Sequence, residues 1–223
     1  CTNVDTLHLV VTILDGQLPG SFTINASGDK VSFSRGFLQY LAAANGTYDA
    51  GTWRFAEHQY DIIGSANASR SSTYANWIDL FAYGTSGWQE GAPNYLPYTR
   101  KNTTGNYLAQ NLTGDYENAD WAAYNYILNA LNGSQNWRTL SQAEWYYLLN
   151  TRTDATQKRS FGKAAGVPGI ILLPDEWTLP DGLTFTANYT ANFTTNNQYT
   201  AEQWAEMEEA GAVFLPAIRL PVL

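Results

Sequence analysis

Apolar and polar positions alternate through residues 7–14, LHLVVTIL, and the β-branched side chains there predict a strand. Residues 15–20, DGQLPG, are a turn-rich break, and residues 21–24 and 30–34 predict two short strands around the turn NASGD at 25–29. Strands are expected again at 37–41 and 53–55, joined by a Gly/Asn loop, with a further apolar element at 58–63. From residue 65 to residue 114 the periodicity is lost among Gly, Asn, Ser, Thr, Tyr and Trp, the pattern of a long, packed, irregular loop region. Disordered segments are poor in aromatic residues, which this stretch is not.

The second half is more regular. Residues 120–131, DWAAYNYILNAL, predict a helix capped by Asp120 and ended by Gly133. In WRTLSQAEWYYLLNTR, Ser141 and Glu144 stand as the two members of a capping box, and Leu140 and Trp145 as a hydrophobic staple. Trp145, Leu148 and Leu149 then share one face of the helix. The run GIILL at 169–173 predicts a buried strand stopped by Pro174, and residues 178–197 a Thr/Asn-rich loop. Thr200 with Gln203, and Tyr199 with Trp204, repeat the box and staple, and Gly211 is placed to stop that helix. The ending AVFLPAIRLPVL is strand-like but interrupted by Pro216 and Pro221. No linker divides the chain, so residues 21–223 are expected to form one domain behind a tether and N-terminal strand at 1–20.

Composition changes this picture in two ways. Of 223 residues, 14% are charged and 14% aromatic, so amides, hydroxyls and tyrosines must carry much of the polar work. A formal charge of −8 without clustered Lys or Arg argues against nucleic acid as a partner. No apolar run reaches the roughly 18 residues of a membrane span. The one cysteine is Cys1, and the chain does not begin with Met. That arrangement reads as a processed lipoprotein whose Cys1 carries the lipid and anchors it to the outer membrane, exposed at the cell surface, with the alternative that the residue has no role.

The helix WRTLSQAEWYYLL resembles the R-L-P-T-E-A-E-W-E-Y-A helix of formylglycine-generating-enzyme-like proteins, and a group of secreted Bacteroidetes lipoproteins resembles the chain over more of its length. The shared blocks are KVSFSRGFLQY, TWRFAEHQYDIIG, WIDLFAYGTSGW, GIILLPDEW and WAEMEEAGAVFLP, together with the helix, across residues 21–216. The resemblance implies an α+β fold of C-type-lectin-like type, with few helices around twisted antiparallel strands and long loops presenting a variable surface. Two features depart from it. The group continues past F-L-P-A into a Gly/Tyr-rich stretch, whereas this sequence reads AIRLPVL; either the fold closes differently or the apolar tail from Ala212 pairs with another chain. Formylglycine-generating enzymes use a copper-binding cysteine pair, and with Cys1 alone that activity is excluded.

Candidate chemistry is sparse. His8 and His58, the two histidines, lie in apolar or aromatic surroundings and read as structural. Asp61, Asp79, Asp120, Asp175 and Glu176 are candidate carboxylates, but no spacing marks a glycosidase pair, and Asp79 and Asp175 read as turn or amide-binding residues. Neither an EF-hand loop nor a calcium-lectin triplet is present, and Gly84, Gly87 and Gly91 lack the setting of a phosphate loop. No metal or cofactor is expected. Aromatic residues on Gly/Asn/Ser loops suit binding, and Trp88, Tyr95, Tyr98 and Tyr107 are the candidates, with Trp88 leaning toward a filling role and the tyrosines evenly placed. Sequons at Asn25, Asn45, Asn111 and Asn192 fit an Asn/Thr-rich surface, and Thr6 stands in a D-[ST]-aliphatic O-glycosylation pattern. The expected function is non-catalytic binding of a glycan or protein ligand, as an accessory subunit of an outer-membrane complex. The alternatives are a structural, pilus-like subunit pairing through its C-terminus, and a carbohydrate-active enzyme.

Overall fold

The computed structural model describes residues 16–81, 85–87, 97–98, 119–130, 137–187 and 196–217. Nine strands and three α-helices run in the order β1 (Phe22–Thr23), β2 (Lys30–Val31), β3 (Leu38–Leu41), β4 (Thr52–Phe55), β5 (Trp77–Ile78), α1 (Trp121–Tyr124), α2 (Gln142–Asn150), β6 (Arg159–Ala164), β7 (Val167–Leu172), β8 (Gln198–Tyr199), α3 (Ala201–Glu209) and β9 (Val213–Pro216) among these residues. They form a two-stranded hairpin, a three-stranded sheet in the order β4-β3-β5, and a four-stranded sheet in the order β8-β6-β7-β9. All pairings are antiparallel except β6 with β8. The fold is α+β, as expected.

The four-stranded sheet is a layer between two helices, and strand alternation puts it there. Ile171 and Phe214 are register partners and face Trp204 and Met207 of α3. The next pair, Leu172 and Val213, faces the other way, toward Leu148 of α2 and toward Leu18 and Phe22 of the first hairpin. Both helices begin as their sequences predict, with Ser141/Glu144 and Thr200/Gln203 each forming a complete capping box. The Tyr199 and Trp204 rings lie 5.9 Å apart, as a staple requires. Gly211, at φ +95°, ends α3: its N–H bonds Glu208 O at 2.8 Å, and Ala212 N–H bonds Met207 O at 2.9 Å, a Schellman closure.

In the three-stranded sheet aromatic residues dominate. Tyr40 pairs with Trp53 across β3 and β4, their rings 4.7 Å apart, and Ile78, Ile127 and Phe55 complete the cluster. The predicted helix at 120–131 shrinks to the single turn of α1, because the residues that follow are drawn to β4. Ile127 forms a parallel bridge with Trp53, and Leu128 N–H bonds Trp53 O at 2.9 Å. Asn129 then bonds both backbone groups of Phe55, accepting from N–H at 2.8 Å and donating to C=O at 3.0 Å. A side-chain amide thus occupies the place of one more strand residue. The Asp120 carboxylate accepts from Thr139 N–H and Oγ1 at 2.6 and 3.1 Å, tying the start of α1 to the approach to α2.

The apolar element at 58–63 takes the form of a turn: Asp61 accepts from His58 N–H at 2.9 Å, and a 3₁₀ turn follows at Gly64–Ser69. Strand β6 was not foreseen. Residues Val213–Pro216 pair internally, β9 with β7, and so belong to this domain's own sheet. The strand expected at 7–14 and the tail at 218–223 lie outside the described residues.

Candidate functional site

A cleft of about 880 Å³ opens between the two halves of the molecule. One wall comes from the first hairpin and the approach to α2, and includes Phe33, Leu140 and Trp145; the other comes from the three-stranded sheet and α1, and includes Phe55, Phe81 and Trp121. Phe37 and Trp137 stand between them. The rings meet in tilted or edge-on pairs: Phe33 with Trp145 at 5.8 Å, Phe55 with Trp137 at 4.7 Å, and Phe81 with Trp121 at 5.6 Å. Such pairs fix the walls, because each ring is held by another element.

Local bonding explains the positions. Arg138 reaches Glu144 through two bonds of 2.9 and 2.6 Å, and Glu144 also accepts from Ser141 N–H at 2.7 Å. The hydrogen bonds from Arg138 hold the Glu144 carboxyl down at about 2, so the capping box of α2 and the cleft rim are one charged unit. On the opposite wall Asp79 is the one carboxylate among the described lining residues. Its oxygens accept from Ile63 N–H at 2.8 Å and Asn67 Nδ2 at 2.7 Å, while Asn67 Oδ1 accepts from Asp79 N–H at 3.0 Å. Asp79 is a buried structural group that fastens the 3₁₀ turn to β5.

Of the other candidate carboxylates, Asp61, Asp120 and Asp175 are also engaged in structure. Asp175 accepts from Thr23 N–H and Oγ1 at 2.9 and 2.6 Å and from Arg152 at 3.1 Å. Burial alone would raise its carboxyl, but the Thr23 and Arg152 hydrogen bonds outweigh burial and hold it below the usual range. Arg152, itself buried, spends its other donors on Leu148 O and Leu173 O. Asp61 bonds His58 Nδ1 at 3.1 Å, and the His58 ring stacks on Tyr60. Glu176 is exposed. Among the described residues, no three His, Cys, Asp or Glu side chains come together as a metal site.

Of the residues singled out for binding, Tyr98 is half-buried and packs against the Tyr40–Trp53 cluster. Burial, and then the neighbouring Tyr98, push the Tyr40 phenol up to about 12. Tyr98 therefore supports the aromatic half from beneath. Cys1, Thr6, His8, Trp88, Tyr95 and Tyr107 lie outside the described residues. The residues that do form the cleft come from widely separated stretches of the chain, and among them the sequence marks Leu140 and Trp145 as a staple and Asp79 as a candidate carboxylate. Compared with protein-family models, with curated proteins and with solved structures, the chain finds no match in any of the three.

Proposed function

We propose that this chain is a non-catalytic binding domain of C-type-lectin-like type, an accessory component of a cell-envelope complex, and that it takes a glycan or protein ligand in the aromatic cleft. One observation carries the reading: a roomy cleft walled by fixed aromatic rings, whose one carboxylate among the described lining residues is spent on backbone and amide donors. Apolar walls with few polar groups suit recognition. A hydrolase would need two free carboxylates facing one another across such a space. Assembly through the C-terminal strand is less favoured, because the outer edge of β9 is already covered. Phe214 N–H donates to Gln59 Oε1, and Gln59 Nε2 reaches Glu208 at 2.9 Å and Ala212 O at 3.4 Å.

Phe37 offers the cleanest test, since it lines the cleft without packing against any of the three core clusters. A glycan array and a displayed random-peptide library are probed with the wild-type chain and with Phe37→Ala. The expected result is a retained ligand whose affinity falls about tenfold in the variant, for roughly one ring's buried surface, with the melting temperature nearly unchanged. Retention unaffected by Phe37→Ala, or turnover of a glycan by the wild type, would overturn the reading.

A further inference from the structure

Residues 30–35, comprising β2 and the bridge residue Ser34, run as the outer arm of the first hairpin. On its inner side Leu18 N–H bonds Phe33 O at 2.9 Å, and Arg35 N–H bonds Gly16 O at 2.8 Å, around the antiparallel bridge of Gln17 with Ser34. Backbone groups alternate sides along an antiparallel strand, so the N–H and C=O of Ser32 and Ser34 point away from residues 16–18. These four groups have no partner among the described residues. Ser32 and Ser34 are half-buried, and both line the aromatic cleft. The edges of β4 and β9 are covered by Asn129 and Gln59, whereas no described residue bonds this one. Half-buried backbone donors and acceptors demand partners, and a bare strand edge is a template for another strand.

We infer that the ligand of the cleft is an extended polypeptide that adds as a strand alongside residues 30–35; this rests on the binding reading above and gives it a ligand class. The edge from Lys30 to Ser34 is about 13 Å long, room for roughly five residues of a strand. The added strand bonds Ser32 and Ser34 through every second residue and turns alternate side chains toward Phe37 and Trp137. Charge sets its polarity. Lys30, Arg152 and Lys158 all converge on Asp175, at 3.4 and 3.1 Å to its carboxylate and 2.5 Å to its carbonyl oxygen. Asp175 is already occupied by Thr23 and Arg152, and the Lys30 side chain is 49% exposed with donors to spare, so a ligand carboxylate is complementary at that end.

The test pans a phage-displayed random heptapeptide library on the full chain and then resynthesises a selected peptide in two forms. Each form is N-methylated on alternate backbone nitrogens, one form for each parity. A strand that pairs through one edge loses affinity about tenfold or more in one parity and little in the other, since only one set of N–H groups faces the protein. Selected peptides are expected to alternate apolar and polar residues with an acidic residue at one end. Ser32→Pro in the protein removes one edge donor and is expected to give the same loss at unchanged melting temperature; should that variant fail to fold, the parity comparison still decides. Equal tolerance of both parities would overturn strand addition. So would the selection of no peptide alongside a glycan retained on an array, or self-association of the chain through this edge. A glycan retained by the wild type and lost in Phe37→Ala would leave the binding reading standing. If neither library yields a Phe37-dependent ligand, both readings fall.

Discussion

The two sheets of this molecule are built by different means. The four-stranded sheet is made by long pairings and clean alternation: β6 and β7 match over six residue pairs, and successive residues of β7 and β9 feed the cores under α3 and α2 in turn. The three-stranded sheet has strands of two to four residues and holds its shape with side-chain amides. Asn129 stands in for a strand beside Phe55, and Asn67 binds the backbone of Asp79 and Leu80 beyond β5. Gln59 joins the halves by closing the edge of β9. In a chain where 14% of residues are charged, amides do this work well, since each carries both a donor and an acceptor and needs no counter-ion. Asn197 ties Ser160, Phe161 and Thr186 beside β6 in the same manner, so the difference is one of degree. One half has longer pairings and alternating cores, the other shorter strands and amide ties over an aromatic filling, with the cleft at their seam.

Paired tryptophan truncations should separate the halves most strongly. Trp204 is fully buried among Tyr199, Met207 and Phe214, so Trp204→Ala is expected to cost about 3–5 kcal/mol. Trp137 is half-buried at the cleft, and Trp137→Ala is expected to cost about 1–2 kcal/mol. Urea unfolding with the slope checked for constancy measures both. Equal costs would mean that the aromatic half is as tightly packed as the helix-flanked sheet.

The next largest effect probes the amides. Asn129→Ala removes one donor and one acceptor from Phe55 and leaves both backbone groups of that buried residue unpaired, so a loss of about 2 kcal/mol is expected. Amide hydrogen exchange should quicken at Phe55 and Leu128 while β6 and β7 keep their protection. Loss of protection across the four-stranded sheet as well would join the two halves into one cooperative unit and erase the contrast.

These same particulars explain what could be read from the sequence. The two capping boxes, the Tyr199–Trp204 staple and the Gly211 stop are local signals, and each of them appears in the structure. The apolar runs of β7 and β9 were also legible, because Ile, Leu, Val and Phe fill their buried positions. Strand β6 was hidden because its inward residues are Ser160, Gly162 and Ala164. Small side chains are required there: a Cβ on Gly162 would meet Asn197 O at 2.6 Å and Ile171 Cδ1 at 2.7 Å. The helix drawn through 120–131 overlooked Asn129, whose partner Phe55 is 74 residues away. The cleft was invisible for the same reason, since Phe37, Phe81, Trp121 and Trp137 are far apart in the chain and come together only in the folded protein. Tyr98, which the sequence leaves evenly placed between an exposed and a filling role, is half-buried and packs against the aromatic cluster.

The smallest expected effect tests whether the cleft rim belongs electrically to α2. The Glu144 carboxyl sits at about 2 in the folded protein, chiefly through its hydrogen bonds from Arg138, against an ordinary value near 4.5. A depressed folded value means that the unfolded chain binds more protons, so this contribution is complete above about pH 4.5 and is lost as the pH falls toward about 2. Arg138 is 47% exposed, and solvent screening brings the pair down to about 1 kcal/mol. Glu144→Gln keeps an acceptor for Ser141 N–H and removes the charge, so the capping box survives while the ion pair goes. The variant is expected to melt about 2–4 °C lower at pH 7 and to show a shallower stability loss between pH 4.5 and 2 than the wild type. At pH 2 the two proteins should converge. The same variant frees Arg138 at the rim, and a ligand carrying a carboxylate should then bind somewhat tighter at pH 7. A melting loss that persists undiminished at pH 2 would instead place the role of Glu144 in the neutral capping bond alone, and the rim would be no more charged than the aromatic walls beneath it.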